Sequence, residues 1–119
     1  MFKRRETDPM RILILEDEPL IALDLEDTVR EECGADVCLA HTVAEAEEYL
    51  GEGDVDFALL DVRLEGRGET SLPIARRLAR ADVPFCFVSS AVDRLPARYE
   101  KVPHVRKPFE LSQIQAILP

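Results

Sequence analysis

Nothing in this sequence comes near the ~20 consecutive apolar residues that a membrane-spanning helix requires. Its longest apolar runs, such as Ile12–Leu15 and Phe57–Leu60, are a small fraction of that length. The amino terminus also lacks the apolar stretch of a signal peptide, so a cytoplasmic address is expected, with no membrane partner. Basic charge is scarce: 15 Lys and Arg stand against 24 Asp and Glu, for a net charge of −9. Non-specific nucleic-acid binding needs a basic surface that releases phosphate counterions, so any partner is expected to be a protein and not a nucleic acid. Cysteine is scarce as well. Cys33, Cys38 and Cys86 cannot all pair internally and read as reduced thiols. Cys33, Cys38 and His41 lack both a fourth ligand and the spacing of zinc knuckles, which sets zinc aside. Internal repeats and low-complexity tracts are missing too.

What is present is the composition of one ordinary globular domain: 46% apolar and 33% charged residues in a chain of 119. Met1–Pro9 is polar, carries three basic residues and ends in proline, so it is expected to be a flexible arm before a domain over residues 10–119. Within that domain Met10–Leu15, Asp54–Leu60 and Pro84–Val88 read as strands buried on both faces, with Ala35–Ala40 and Val102–Arg106 as weaker strands. Helical spacing fills the gaps: Ile21, Leu25 and Val29; Val43, Ala46 and Leu50; Ile74, Leu78 and Ala81; Leu111, Ile114 and Ile117. Thr42 and Glu45 are spaced as a capping box, and Gly34 and Gly51 fall where helices end. Strand and helix alternate, which predicts a parallel sheet covered by helices on both faces through right-handed crossovers.

In such sheets ligands bind beyond the carboxyl ends of the strands. Those ends carry Glu16-Asp17, Asp61, Ser89-Ser90 and Lys107-Pro108. Three carboxylates at one mouth repel one another, and a hard divalent cation with oxygen ligands, Mg²⁺, relieves this. Asp61 follows the apolar strand directly, as a nucleophile fixed by the sheet would. A carboxylate there can form an acyl phosphate if cations and donors receive the phosphoryl oxygens, and Mg²⁺, Lys107 and Ser89 supply those roles.

The segments Ile12–Glu18, Ala58–Asp61, Phe87–Ser90 and Arg106–Phe109 resemble, in order and spacing, the receiver domain of bacterial two-component response regulators, over Arg11–Leu118. The resemblance implies a flavodoxin-like, doubly wound five-stranded sheet of order 2-1-3-4-5. It implies Asp61 as phospho-acceptor, Asp17 and the Arg63 backbone carbonyl as Mg²⁺ ligands beside Asp61, and Glu16 as a ligand through water. It makes Ser89 the hydroxyl that follows the phosphoryl group and Lys107 the cation, presented by a cis bond to Pro108. It also implies a non-enzymatic signalling switch, expected here as a stand-alone regulator. A histidine kinase or histidine phosphotransfer protein would be its donor, and a downstream protein or a phosphorelay its outlet.

Three positions depart from the family. His104 stands where a tyrosine or phenylalanine usually reports phosphorylation, and a pH-sensitive switch is expected of it. The interval between Ser89 and His104 is short and holds Pro96 and Pro103, so the fourth helix is expected to be reduced or displaced. Arg63 and Ala91 flank the path of the attacking water. Two rivals stand beside this reading. One is a receiver-like module that is never phosphorylated. The other is an aspartyl-phosphate phosphatase, disfavoured because Arg63 occupies the place of its general acid.

Overall fold

The computed structural model of the chain describes residues 8–66 and 68–119, so the arm expected over Met1–Pro9 lies outside it except for its last two residues. From Arg11 the chain alternates as its pattern requires: β1 Arg11–Leu15, α1 Pro19–Cys33, β2 Asp36–Ala40, α2 Val43–Glu52 and β3 Phe57–Leu60. A short hairpin follows, β4 Arg63–Leu64 against β5 Glu69–Thr70, then α3 Leu72–Arg80 and β6 Phe85–Ser89. Two 3-10 turns, Val92–Arg94 and Ala97–Tyr99, lead to β7 His104–Arg106 and α4 Leu111–Ile117.

The five-stranded sheet is parallel and runs β2-β1-β3-β6-β7, which is the order 2-1-3-4-5 once the hairpin strands are set aside. β1 and β3 sit inside it, and apart from Arg11 their residues are buried on both faces. Ile12 and Ile14 point into one core with Leu25 and Val29 of α1 and Ile114 of α4. Leu13 and Leu15 point into the other with Ala46 of α2, Ile74 and Leu78 of α3, and Tyr99. The period-2 alternation of the strand thus feeds two cores, each closed by the apolar stripes of its helices.

Local signals decide the ends. Gly34 closes α1 in the left-handed region at φ 59°, and its N–H donates to the Arg30 carbonyl at 3.0 Å. Gly51 does not close α2: it lies in the last turn, and Gly53 follows the helix with extended φ and ψ. Thr42 caps α2 by accepting from Glu45 N at 3.1 Å, but Glu45 reaches past Thr42 to accept from His41 N at 2.8 Å, so the expected box is shifted by one residue. A full capping box forms instead at Glu110 and Gln113 on α4. Between β6 and β7 the prolines leave room for the two 3-10 turns and no α-helix, as the short interval required.

Candidate functional site

The β1–β2 and β1–β3 registers place the residues after Leu15 and Leu60 side by side at one mouth. Asp61 N donates to the Leu15 carbonyl at 2.9 Å, and Glu16 N donates to the Ala40 carbonyl at 2.9 Å. Each acid is therefore fixed by a sheet hydrogen bond on its own residue. Glu16 is 0% and Asp61 6% exposed, whereas Asp17 is half-buried. A carboxylate oxygen from each of Glu16, Asp17 and Asp61 lies within 4.8 Å of the other two.

Lys107 enters this acid cluster from the last strand. Lys107 N donates to the Ser89 carbonyl at 3.2 Å, which continues the β6–β7 pairing, and the Lys107–Pro108 bond is cis. The ammonium lies 2.6 Å from Glu16 Oε1 and donates to Asp61 Oδ2 at 2.9 Å, with Glu18 Oε1 further out at 3.9 Å. Burial works against the charge on Lys107, but its contacts with Glu16 and Asp61 outweigh that and raise its pKa. Burial lifts Glu16 to about 7 from the usual 4.5, aided by the neighbouring Asp61 charge and opposed by Lys107. One cation is thus shared among more carboxylate charge than it can neutralise. These hard oxygen donors, partly exposed at Asp17, suit Mg²⁺ in kind.

The remaining expected residues sit around this core. Ser89 is 1% exposed at the end of β6, and its Oγ accepts from Ala91 N at 3.1 Å, a bond within its own loop. Arg63 opens β4 opposite Thr70, two residues beyond Asp61, with its side chain exposed. His104 is exposed on β7, paired in register with Phe87. The buried aromatic of this region is Tyr99, whose ring meets Phe85 and Phe87 edge-on with centroids 6.2 and 5.7 Å apart.

Three contributors were not read from the sequence. The His41 ring places Nδ1 3.0 Å from the Glu16 carbonyl oxygen, which steadies the backbone of the acidic pair. Gly66 N donates to Asp17 Oδ2 at 3.1 Å, so the β4–β5 hairpin touches the most exposed acid of the cluster. Glu18 N donates to Glu16 Oε2 at 3.1 Å, leaving Oε1 to Lys107. The first and last carry no sequence signal, because each depends on a backbone group, the Glu16 carbonyl or the Glu18 N–H, that the fold positions. In the sequence Gly66 and Gly68 read only as a loop mobile enough to rearrange with the ion, which does not name Asp17 as its contact.

No protein-family model matches the chain. It is 34% identical over 112 residues to the phyllosphere-induced regulator PhyR of Methylorubrum extorquens, across 90% of this chain and 41% of PhyR, so it spans less than half of that curated relative. Among solved structures, SdrG from Sphingomonas melonis Fr1 superposes with a TM-score of 0.78 at 39% identity, over 91% of this chain and 92% of SdrG. The BeF3-activated conformation of SdrG from Pseudomonas melonis Fr1 superposes at 0.71 with 38% identity, over 92% and 93%. The REC domain of the response regulator PhyR from Erythrobacter litoralis superposes at 0.76 with 30% identity, over 94% of this chain and 88% of that one.

Proposed function

Because the chain belongs to the receiver-domain family of two-component response regulators, we propose that it is a phosphorylation-dependent switch whose acceptor is Asp61. The observation that carries this reading is the Lys107 ammonium buried between Glu16 and Asp61, at 2.6 and 2.9 Å, within a cluster of three carboxylates. Asp17 and Asp61, with the Arg63 backbone carbonyl, would hold Mg²⁺, and Glu16 would support it from behind. When bound, Mg²⁺ offsets the charge on the phosphoryl oxygens.

The chain's own residues do the rest. One oxygen of the Asp61 carboxylate attacks the phosphorus of a phosphohistidine. An O–P bond forms as the P–N bond breaks, and the imidazole leaves with the electron pair and takes up a proton. Lys107 gives up part of its contact with Asp61 and receives a phosphoryl oxygen. Ser89 exchanges its bond from Ala91 N for one in which its hydroxyl donates to the phosphoryl group. The donor is a histidine kinase or histidine phosphotransfer protein. Support for its docking comes from Leu20 and Leu23, 78% and 50% exposed on α1 directly after the acidic pair, beside α4 with Leu111 at 49%. The output is a protein contact or onward relay of the phosphoryl group. His104, exposed on β7 beside Phe87, is the position through which the switch is modulated.

A phosphatase reading fails on Arg63, since a guanidinium cannot act as a general acid near neutral pH. A module that is never phosphorylated would carry a buried, over-acidic cluster at a cost in stability and with no use for it. The test is phosphotransfer: a phosphorylated histidine phosphotransfer protein is mixed with this chain and Mg²⁺. Label should move to the native chain and not to Asp61→Asn, and transfer should slow when Leu20 and Leu23 are both changed to serine. Transfer that is unaffected in Asp61→Asn would sink the assignment.

A further inference from the structure

The strongest feature outside the mouth is a cationic face on an acidic protein. Residues 70–81 hold three arginines and no carboxylate, in a chain with 24 acidic residues among 119. Arg76, Arg77 and Arg80 are exposed on α3 and Arg98 on the second 3-10 turn, while Arg94, exposed on the first, lines a separate cavity with Glu65 and Glu69. Among the described residues, none of these five has a carboxylate within the 4.0 Å of an ion pair, whereas Arg11 reaches Glu52, Arg30 pairs with Glu26, Arg106 with Asp93, and Lys107 with Glu16 and Asp61. Arg63 and Lys101 are unpaired by the same measure, so what marks this face is that it gathers several such guanidiniums in one place. Arg76 and Arg80 are also a like-charge pair one helical turn apart, which opposes helix formation. The dipole of α3 favours a cation at its carboxyl end, but it accounts for neither Arg76 nor Arg98.

The face has a shape. Arg76, Ala79 and Arg80 from α3 meet Arg98 and Tyr99 across an open groove of about 550 Å³. The Arg98 guanidinium lies 5.1 Å from the Tyr99 ring centroid, and that ring is anchored on Phe85 and Phe87. A guanidinium resting on a fixed ring loses less freedom on binding than a free one. The small side chain of Ala79 leaves the floor low between the two arginines of the helix.

We propose that this groove docks an acidic segment of a partner protein, with carboxylates paired to Arg76, Arg80 and Arg98, the last held in place on the buried Tyr99 ring. Charge complementarity selects the occupant, because the exposed guanidiniums of Arg76, Arg80 and Arg98 are forks that match carboxylates. The contact is separate from phosphorylation at Asp61, so it is measured on the native chain and on Asp61→Asn alike.

The experiment is an amide-shift NMR titration of the whole chain with a synthetic glutamate-rich helical peptide, run beside a lysine-rich peptide of equal length and a single-stranded oligonucleotide. Saturable shifts centred on Arg76, Arg80, Arg98 and Tyr99 are expected with the acidic peptide. Affinity should fall about tenfold or more in the double variant Arg76→Glu, Arg98→Glu, and less than about twofold in Arg30→Glu. It should also fall severalfold between about 0.05 and 0.3 M salt. Shifts spread equally over Arg30 and Arg106, unchanged affinity in the double variant, or tighter binding of the oligonucleotide would each overturn the proposal. So would self-association that the double variant abolishes, which would assign the face to a second copy of this chain.

Discussion

The two flanks of β3 are built differently. On one side β1, α1, β2 and α2 form long, regular elements: α1 runs 15 residues and is closed by a left-handed glycine. On the other, the link from β6 to β7 is two 3-10 turns of three residues each, held by Tyr99 on its aromatic neighbours and by an exposed Asp93–Arg106 pair. The acids Glu16, Asp17 and Asp61 follow β1 and β3, while Lys107 and Ser89 come from the β6–β7 side. Charge on the firm flank is therefore answered by a cation and a hydroxyl on the lighter one. Adding a phosphoryl group to Asp61 would act on the side that costs less to move.

Removing the link between the flanks should have the largest effect. Lys107→Met leaves Glu16 and Asp61 buried without their counter-charge, and we expect a loss of about 3 to 5 kcal/mol in urea unfolding with a chelator present. Added Mg²⁺ should restore part of it. A variant as stable as the native chain would mean that the acids do not depend on the β7 side. Next in size is a cavity on the firm flank: Leu25→Ala, at a side chain 1% exposed, should cost about 3 kcal/mol with an unchanged denaturant slope. A changed slope would show that α1 unravels separately from the sheet.

Legibility did not follow the flanks: β6 and the loss of a helix after it were as readable as β1 and β3, whereas β2 on the firm flank was among the weaker strands. Continuous apolar runs and 3.6-residue stripes located the central strands and α1 because burial on both faces and an amphipathic surface leave strong periodic marks. Acids at strand ends were equally visible, since topology brings those ends together whatever the loops do. The β4–β5 hairpin was not legible: two-residue strands are too short to show a period, and Gly66 and Gly68 signalled only a loop. Tyr99 was missed because an aromatic in a proline-flanked segment has no periodic partners, and its burial depends on Phe85 and Phe87 across the chain. Gly51 misled because glycine near a helix end is not always the terminating residue. The shared role of Lys107 was legible as a position, but its simultaneous contact with Glu16 and Asp61 depends on side-chain reach.

The acid cluster also sets a pH dependence. Glu16 is raised to about 7 in the metal-free fold from the ordinary 4.5. A carboxyl raised by folding favours the fold while protonated: its contribution is full below about 4.5 and is lost as pH climbs through about 7. With a chelator present, the native chain should lose stability relative to Glu16→Gln across that window. Parallel curves would show that Glu16 is not strained by its surroundings.

The smallest effect belongs to the light flank. Asp93→Ala removes an exposed ion pair, so global unfolding should not change measurably, while amide exchange over residues 92–102 should quicken. Equal quickening in α1 would contradict the separation of the two flanks.

The central claim is most directly tested by the intact mass of the chain after incubation with Mg²⁺ and acetyl phosphate, beside Asp61→Asn. A single phosphoryl adduct that requires Mg²⁺ and disappears in the variant is the expected result. An adduct that persists in Asp61→Asn, or none from either acetyl phosphate or phosphohistidine donors, would contradict a phospho-acceptor at Asp61.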